Sequence, residues 1–152
     1  MTDEARAVLI HKAEIRSLIP HAGTMCLLEG VTAWDDTSIV CVTDTHRDAM
    51  NPLRRQGRLA ALHAFEYGAQ AVAIHGGLLA RAAGRRVPPA YLAALRDARL
   101  TVTRLDDVEA PLEVTAKWLT GRAGNCIYQS RISANAQVLA EARITIITHP
   151  MA

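Results

Sequence analysis

Residues 59–80 read LAALHAFEYGAQAVAIHGGLLA, and no other stretch restricts the fold as much. The run holds no proline and no lysine or arginine, and Gly84 stands just beyond it. A glycine after the last apolar residue is a common helix stop, so the pattern predicts one helix over 58–83, opened by Gly57. That helix is apolar on nearly every side, and such a helix is wrapped by other elements rather than laid on a surface. It is long enough to cross a bilayer, but it carries His63, Glu66, Gln70 and His75 along its middle. A glutamate at mid-depth is expensive in lipid. The expectation is therefore the buried helix of one domain over residues 1–152, with no membrane involved.

The flanks supply the wrapping. A short helix is expected over 4–18, spaced by Val8, Ile15 and Leu18 and stopped by Pro20. Strands follow at 24–33 and 37–43, with Asp35-Asp36 at the turn. Residues 46–56 are polar and irregular and contain Asn51-Pro52, Arg54 and Arg55. The second half alternates apolar and polar residues over 98–104, 112–118, 126–132 and 138–147, which is the strand period. Turn-forming residues stand at 121–125 and 134–136. The fold class is α+β: one antiparallel sheet curled around a central helix. A single sheet cannot cover that helix on all sides, so a second protomer is expected to help.

Composition narrows the function. The chain has 27 alanines and six aromatic residues, so its core is built from small and aliphatic side chains. Fifteen arginines stand against two lysines, but the net charge is only +2, too weak to imply nucleic-acid binding. Cys26, Cys41 and Cys126 are odd in number and lack a C-x-x-C spacing, which argues for a reducing compartment and against structural zinc. The opening MTDEARAVLIHK has two acids and no long apolar core, unlike a secretory signal. A cytoplasmic protein is expected.

Glu66 is the residue that asks for a function. On the helical wheel it shares a face with Leu59, Leu62, Ala69, Gln70, Ala73 and Gly77. A carboxyl in such a stripe is either satisfied by a neighbour such as Gln70 or an arginine, or kept for proton transfer. Proton transfer needs a partner. His11 and His149 lie near the termini, His75 points away from Glu66, and His63 is one turn before it. His21 follows Ile19-Pro20, and His46 sits in the polar loop before the helix. The residues alone leave His21 and His46 level.

The run Leu18-Ile19-Pro20-His21, followed by Met25-Cys26-Leu27-Leu28-Glu29, resembles the leucine-proline-histidine opening of 3-hydroxyacyl-[acyl-carrier-protein] dehydratases of the FabZ type. His46 with Asn51-Pro52 resembles that family's histidine loop, and Glu66 with Gln70 its helix glutamate and glutamine. Asn51–Gln70 with His75-Gly76-Gly77 is more similar still to the dehydratase-like proteins of aryl-polyene pigment clusters. The loop itself departs from the family: Thr45-His46-Arg47-Asp48-Ala49 stands where the family has glycine, histidine, phenylalanine, proline, glycine. The resemblance implies a hotdog fold and a dimer, identical or mixed, with sites at the subunit interface. It implies His46 and Glu66 as catalytic residues from different protomers, with His21, Gly57 and Gln70 around the substrate. The implied reaction dehydrates a 3-hydroxyacyl thioester to the trans-2-enoyl thioester, without metal or cofactor. Its implied partner is an acyl-carrier protein, which Arg54, Arg55 and Arg58, or Arg81, Arg85 and Arg86, would receive. A thioesterase on the same fold, or a non-catalytic subunit of a related dehydratase, are the alternatives.

Overall fold

The computed structural model describes residues 7–19, 23–87, 90–122 and 125–148. A two-residue strand, β1 (Ile10–His11), leads into α1 (Lys12–Leu18). Then come β2 (Gly30–Trp34), β3 (Ser38–Thr43) and, after a long loop, α2 (Ala64–Ala82). Four strands complete the chain: β4 (Ala90–Leu100), β5 (Leu112–Arg122), β6 (Asn125–Ala134) and β7 (Gln137–Thr148).

All seven strands form one antiparallel sheet in the order β1-β2-β3-β5-β6-β7-β4. The two-periodic stretches supply its inner face. Ile39 and Cys41 of β3, Val114 and Ala116 of β5, Tyr128 and Ile132 of β6, and Ala142 and Ile144 of β7 are all buried. They meet α2, whose buried residues include Phe65, Tyr67, Ala71, Ile74 and Leu78. The Asp35-Asp36 turn forms as expected, because Asp35 Oδ1 accepts the N–H groups of Thr37 (2.9 Å) and Ser38 (2.8 Å). Those bonds, Thr37's first, hold its carboxyl below the usual range. Asn135 and Ala136, both at positive φ, turn β6 into β7 within 134–136, where a turn is expected.

The strand expected over 24–33 begins only at Gly30, with residues 23–25 in a 3₁₀ turn, and three further expectations shift. The central helix begins at Ala64, not 58. The backbone before it is engaged elsewhere: Ala61 N–H donates to Thr103 O (3.0 Å), Leu105 N–H to Leu59 O (2.8 Å), and Leu59 N–H to Asp106 Oδ1 (2.9 Å). The same bonds explain the second shift. Thr103, Arg104 and Leu105 pair with the approach to α2, while Thr101 still bonds to Leu139 of β7, so the expected strand 98–104 is replaced by β4, which runs from Ala90 to Leu100. Its alanine- and leucine-rich sequence favours helix, and pairing with β7 overrides that preference. The third shift is at the N-terminal side, where α1 covers only 12–18 and residues 10–11 join the sheet instead.

Gly57 does not open the helix. Arg55 and Arg58 exchange two backbone hydrogen bonds, 2.8 and 3.0 Å long, across Gln56 (φ +52°) and Gly57 (φ +74°). Two consecutive residues at positive φ define a type I′ turn, which favours glycine at its second position. Gly77 serves packing: a Cβ there would stand 3.0 Å from the Leu18 carbonyl oxygen, so glycine lets α1 sit close on α2.

Candidate functional site on two sides of the central helix

The least covered stripe of α2 consists of Glu66, Ala69, Ala73 and Gly76, each half-buried where their neighbours are buried. This spacing follows one helix face. The stripe forms one wall of a cavity of about 700 Å³. Tyr128, Cys126 and Ile146 line it from the sheet, and Val87, Ala90, Tyr91 and Leu92 from the start of β4. Glu66 is the charged side chain among these walls. Ala69 and Ala73 thus leave room, while Gly77, expected on the same face, packs against Leu18 instead.

Gln70 is fully buried and saturated within the chain. Its Oε1 accepts Leu27 N–H (2.9 Å), and its Nε2 donates to Met25 O (2.6 Å) and to Glu66 Oε1 (3.3 Å). The amide therefore pins residues 25–27 to the helix and orients the Glu66 carboxyl. His75 is equally occupied: Tyr128 O–H donates to Nδ1 (2.7 Å), and Nε2–H donates to Asp35 O (2.8 Å). Burial raises the Tyr128 hydroxyl well above its ordinary pKa, so it remains a donor.

The histidine loop lies on another side of α2. Residues Thr45–Arg47 form a single 3₁₀ turn after β3. Asn51 Nδ2 donates to Tyr67 Oη (3.1 Å) and to Thr45 O (2.9 Å). Tyr67 Oη lies 2.9 Å from Thr45 Oγ1, which donates in turn to Leu27 O (2.7 Å). Thr43 Oγ1 also donates to Leu27 O (2.6 Å). The donors can be ordered without conflict from Asn51 through Tyr67 and Thr45 to Leu27, and a fully satisfied buried network is rigid. Arg54 closes the loop from outside, with Nη2 on His46 O and Nη1 on Gly57 O, both at 3.2 Å.

His46 sits inside this loop with no solvent exposure (0%). Its Nε2 is 2.9 Å from Val108 O, so Nε2 carries the proton and Nδ1 the lone pair. Nδ1 is buried and makes no hydrogen bond. Burial, outweighing the Val108 carbonyl, holds the ring's pKa below its ordinary 6.5 and keeps it neutral.

Within one chain, then, Glu66 lines the cavity and His46 does not. Gly57 is exposed on its turn, away from the first turn of α2. His21 lies outside the described residues. Of the two arginine groups, Arg54 and Arg55 donate to loop carbonyls, and Arg81 pairs with Glu14 at 3.3 Å. Arg85 and Arg86 are exposed and immediately precede Val87 of the cavity wall. Tyr67, Thr45 and Tyr91 are the contributors that sequence reasoning missed. Tyr67 directly follows Glu66, and a tyrosine in an otherwise apolar buried helix needs a hydroxyl partner. That signal was available.

A sheet wrapped around a long helix with an acid-bearing cavity defines the hotdog class. The solved structures agree. The dehydratase heterocomplex ApeI:P from Xenorhabdus doucetiae is similar over 90% of this chain and 91% of that one, at TM-score 0.81 and 23% identity. A putative thioesterase from Shewanella oneidensis matches over 91% and 94% of the two chains, at TM-score 0.62 and 12% identity. A hypothetical thioesterase from Streptococcus pneumoniae, solved with coenzyme A, covers 80% and 85%, at TM-score 0.58 and 12% identity. A search of curated proteins finds no match. The ApeP dehydratase family matches residues 13–151, and the chain belongs to this ApeP-like family. Its class is that of the dehydratases, as the resemblance to aryl-polyene proteins implies. Among the described residues, no helix is long and apolar enough to cross a membrane.

Proposed function

We propose that the chain is one subunit of a two-subunit hotdog dehydratase whose substrate is a 3-hydroxyacyl thioester carried on an acyl-carrier protein. The observation that carries this reading is Glu66 at the wall of an apolar cavity of about 700 Å³, within the usual range of roughly 300–1,000 Å³ for small-ligand sites. An acyl chain would run along Ala69, Ala73 and Gly76 toward Val72 and Ile146. Its hydroxyl-bearing carbon would stop at Glu66. An imidazole takes the proton from the carbon next to the carbonyl, and the C–O bond on the following carbon breaks. Glu66 passes a proton to the departing hydroxyl, so water and an enoyl thioester leave. Gln70, held by Leu27 and Met25, keeps the carboxyl aimed.

The imidazole would arrive across a subunit seam. β4 ends the sheet, and it is exposed at every position except Ala94. It shows Tyr91, Leu92, Leu95 and Leu100 to the outside. A long apolar edge is a template for pairing with another chain. Because Ala90, Tyr91 and Leu92 also line the cavity, a subunit docked there closes it beside Glu66. The similar solved complex, ApeI:P, is itself a heterocomplex, which supports a related hotdog subunit as that partner. Arg85 and Arg86, next to the cavity wall, would receive an acidic carrier protein. A carrier-bound substrate fits a cytoplasmic protein.

The test is to incubate the assembled subunits with 3-hydroxyacyl-carrier protein and follow the acyl group by mass spectrometry. Loss of one water with the thioester intact is expected. Release of a free acid would instead establish the thioesterase alternative.

A further inference from the structure

The two catalytic groups are not presented alike, and the difference has a consequence for the assembly. The resemblance to FabZ-type dehydratases implies two composite sites in a pair of hotdog subunits, each joining one subunit's carboxyl to the other's imidazole. Glu66 stands on an open cavity. His46 is sealed before any partner arrives. A partner can touch only what the single subunit exposes, and a proton-abstracting nitrogen must come within about 3 Å of its target, directly or through one water. The lone pair of His46 is on Nδ1, and that atom is enclosed.

One hydrogen bond holds the ring itself, and several others fix the loop that carries it. The Val108 carbonyl holds Nε2, Arg54 holds the His46 carbonyl, and Thr45 just before it is held by Tyr67 and Asn51. Asp48 O then accepts Asn51 N–H at 3.0 Å, which locks the far side of the loop. Glu66, by contrast, lines the cavity wall, with Gln70 Nε2 donating to its Oε1.

We infer that this chain supplies only the carboxylate half of catalysis: the composite site that holds its Glu66 turns over, and the mirror site that would depend on its His46 is silent. His46 becomes a residue that organises the loop against Val108. This rests on the two-subunit dehydratase reading above. It assigns the working imidazole to the partner, and it predicts that a pair made of two copies of this chain does not dehydrate.

The discriminating experiment places Glu66→Gln in this chain alone, within the complex with the related subunit, and measures turnover of 3-hydroxyacyl-carrier protein. With a single working site, turnover falls at least 1,000-fold, to the background. With two equal sites, half of the wild-type rate survives, and the inference is overturned while the dehydratase reading stands. A wild-type complex that yields no enoyl product overturns the reading itself. Accessibility supplies a measurement independent of activity. Diethyl pyrocarbonate should modify the exposed His11 and leave His46 unmodified in the native complex, as read by peptide mass spectrometry. Modification of His46 at a rate comparable to His11 would mean that the ring is reachable, and the half-site assignment would fail.

Discussion

Glu66 and Tyr67 are consecutive residues of one helix, yet they lead into opposite kinds of surroundings. Glu66 looks onto space walled by small side chains and by the start of β4. Tyr67 is fully buried, and its hydroxyl sits between Thr45 and Asn51. A rotation of about 100° per residue is all that separates the two. On the Glu66 side a cavity separates the helix from the sheet. On the Tyr67 side each hydroxyl and amide named has a partner. A cavity tolerates a change of side chain that a satisfied network does not, so the two sides should respond to mutation in different observables.

The largest effect is expected at the seam that closes the Glu66 side. Leu95→Lys places a charge on the exposed edge strand, where lysine discourages pairing. The subunits should separate on size-exclusion chromatography, and dehydration should drop by orders of magnitude while the single chain stays folded. Turnover at the wild-type rate from separated subunits would remove the seam from the argument. Next comes the cavity itself. Ala73→Phe fills the cavity about two turns along α2 from Glu66, and kcat/KM for long acyl chains should fall roughly tenfold or more, with short chains less affected. Equal loss for all chain lengths would show that the acyl group lies elsewhere.

The Tyr67 side should report in stability instead. Tyr67→Phe deletes a hydroxyl and leaves Asn51 Nδ2 and Thr45 Oγ1 each short of a partner. The loss should be about 1–3 kcal/mol, measured by denaturant unfolding, with the cavity and its ligand preference unchanged. The smallest effect concerns pH. The folded pKa of His46 lies below its ordinary 6.5, chiefly through burial. Below pH 6.5 the unfolded chain therefore takes up a proton that the folded chain refuses. This contribution lowers stability as pH falls from 6.5 toward the folded value, with a slope of at most about 1.4 kcal/mol per pH unit. It is absent above 6.5. Replacing His46 by Gln should flatten that part of the profile, and an unchanged profile would contradict the sealed, neutral ring.

Much of this was legible before any coordinates. The apolar run over 59–80 announced an enclosed helix, and the alternation in the second half announced the antiparallel sheet around it. Glu66 stood out because a carboxyl in that stripe needs a reason. β4 was misplaced because AYLAALRDARL has the composition of a helix, and only its register with β7 makes it a strand. The helix start was misplaced because bonds from residues 103–106, far along the chain, hold residues 59–61.

What local sequence determined, therefore, is everything that depends on periodicity: which residues face inward, how long the helix could be, and where an acid would be conspicuous. What tertiary structure alone decided is access. Whether His46 or Glu66 meets a cavity depends on which distant carbonyls and hydroxyls close around each side chain, and no spacing rule encodes that. Burial is a property of the packed whole, since each enclosing group comes from an element that folds back from elsewhere in the chain.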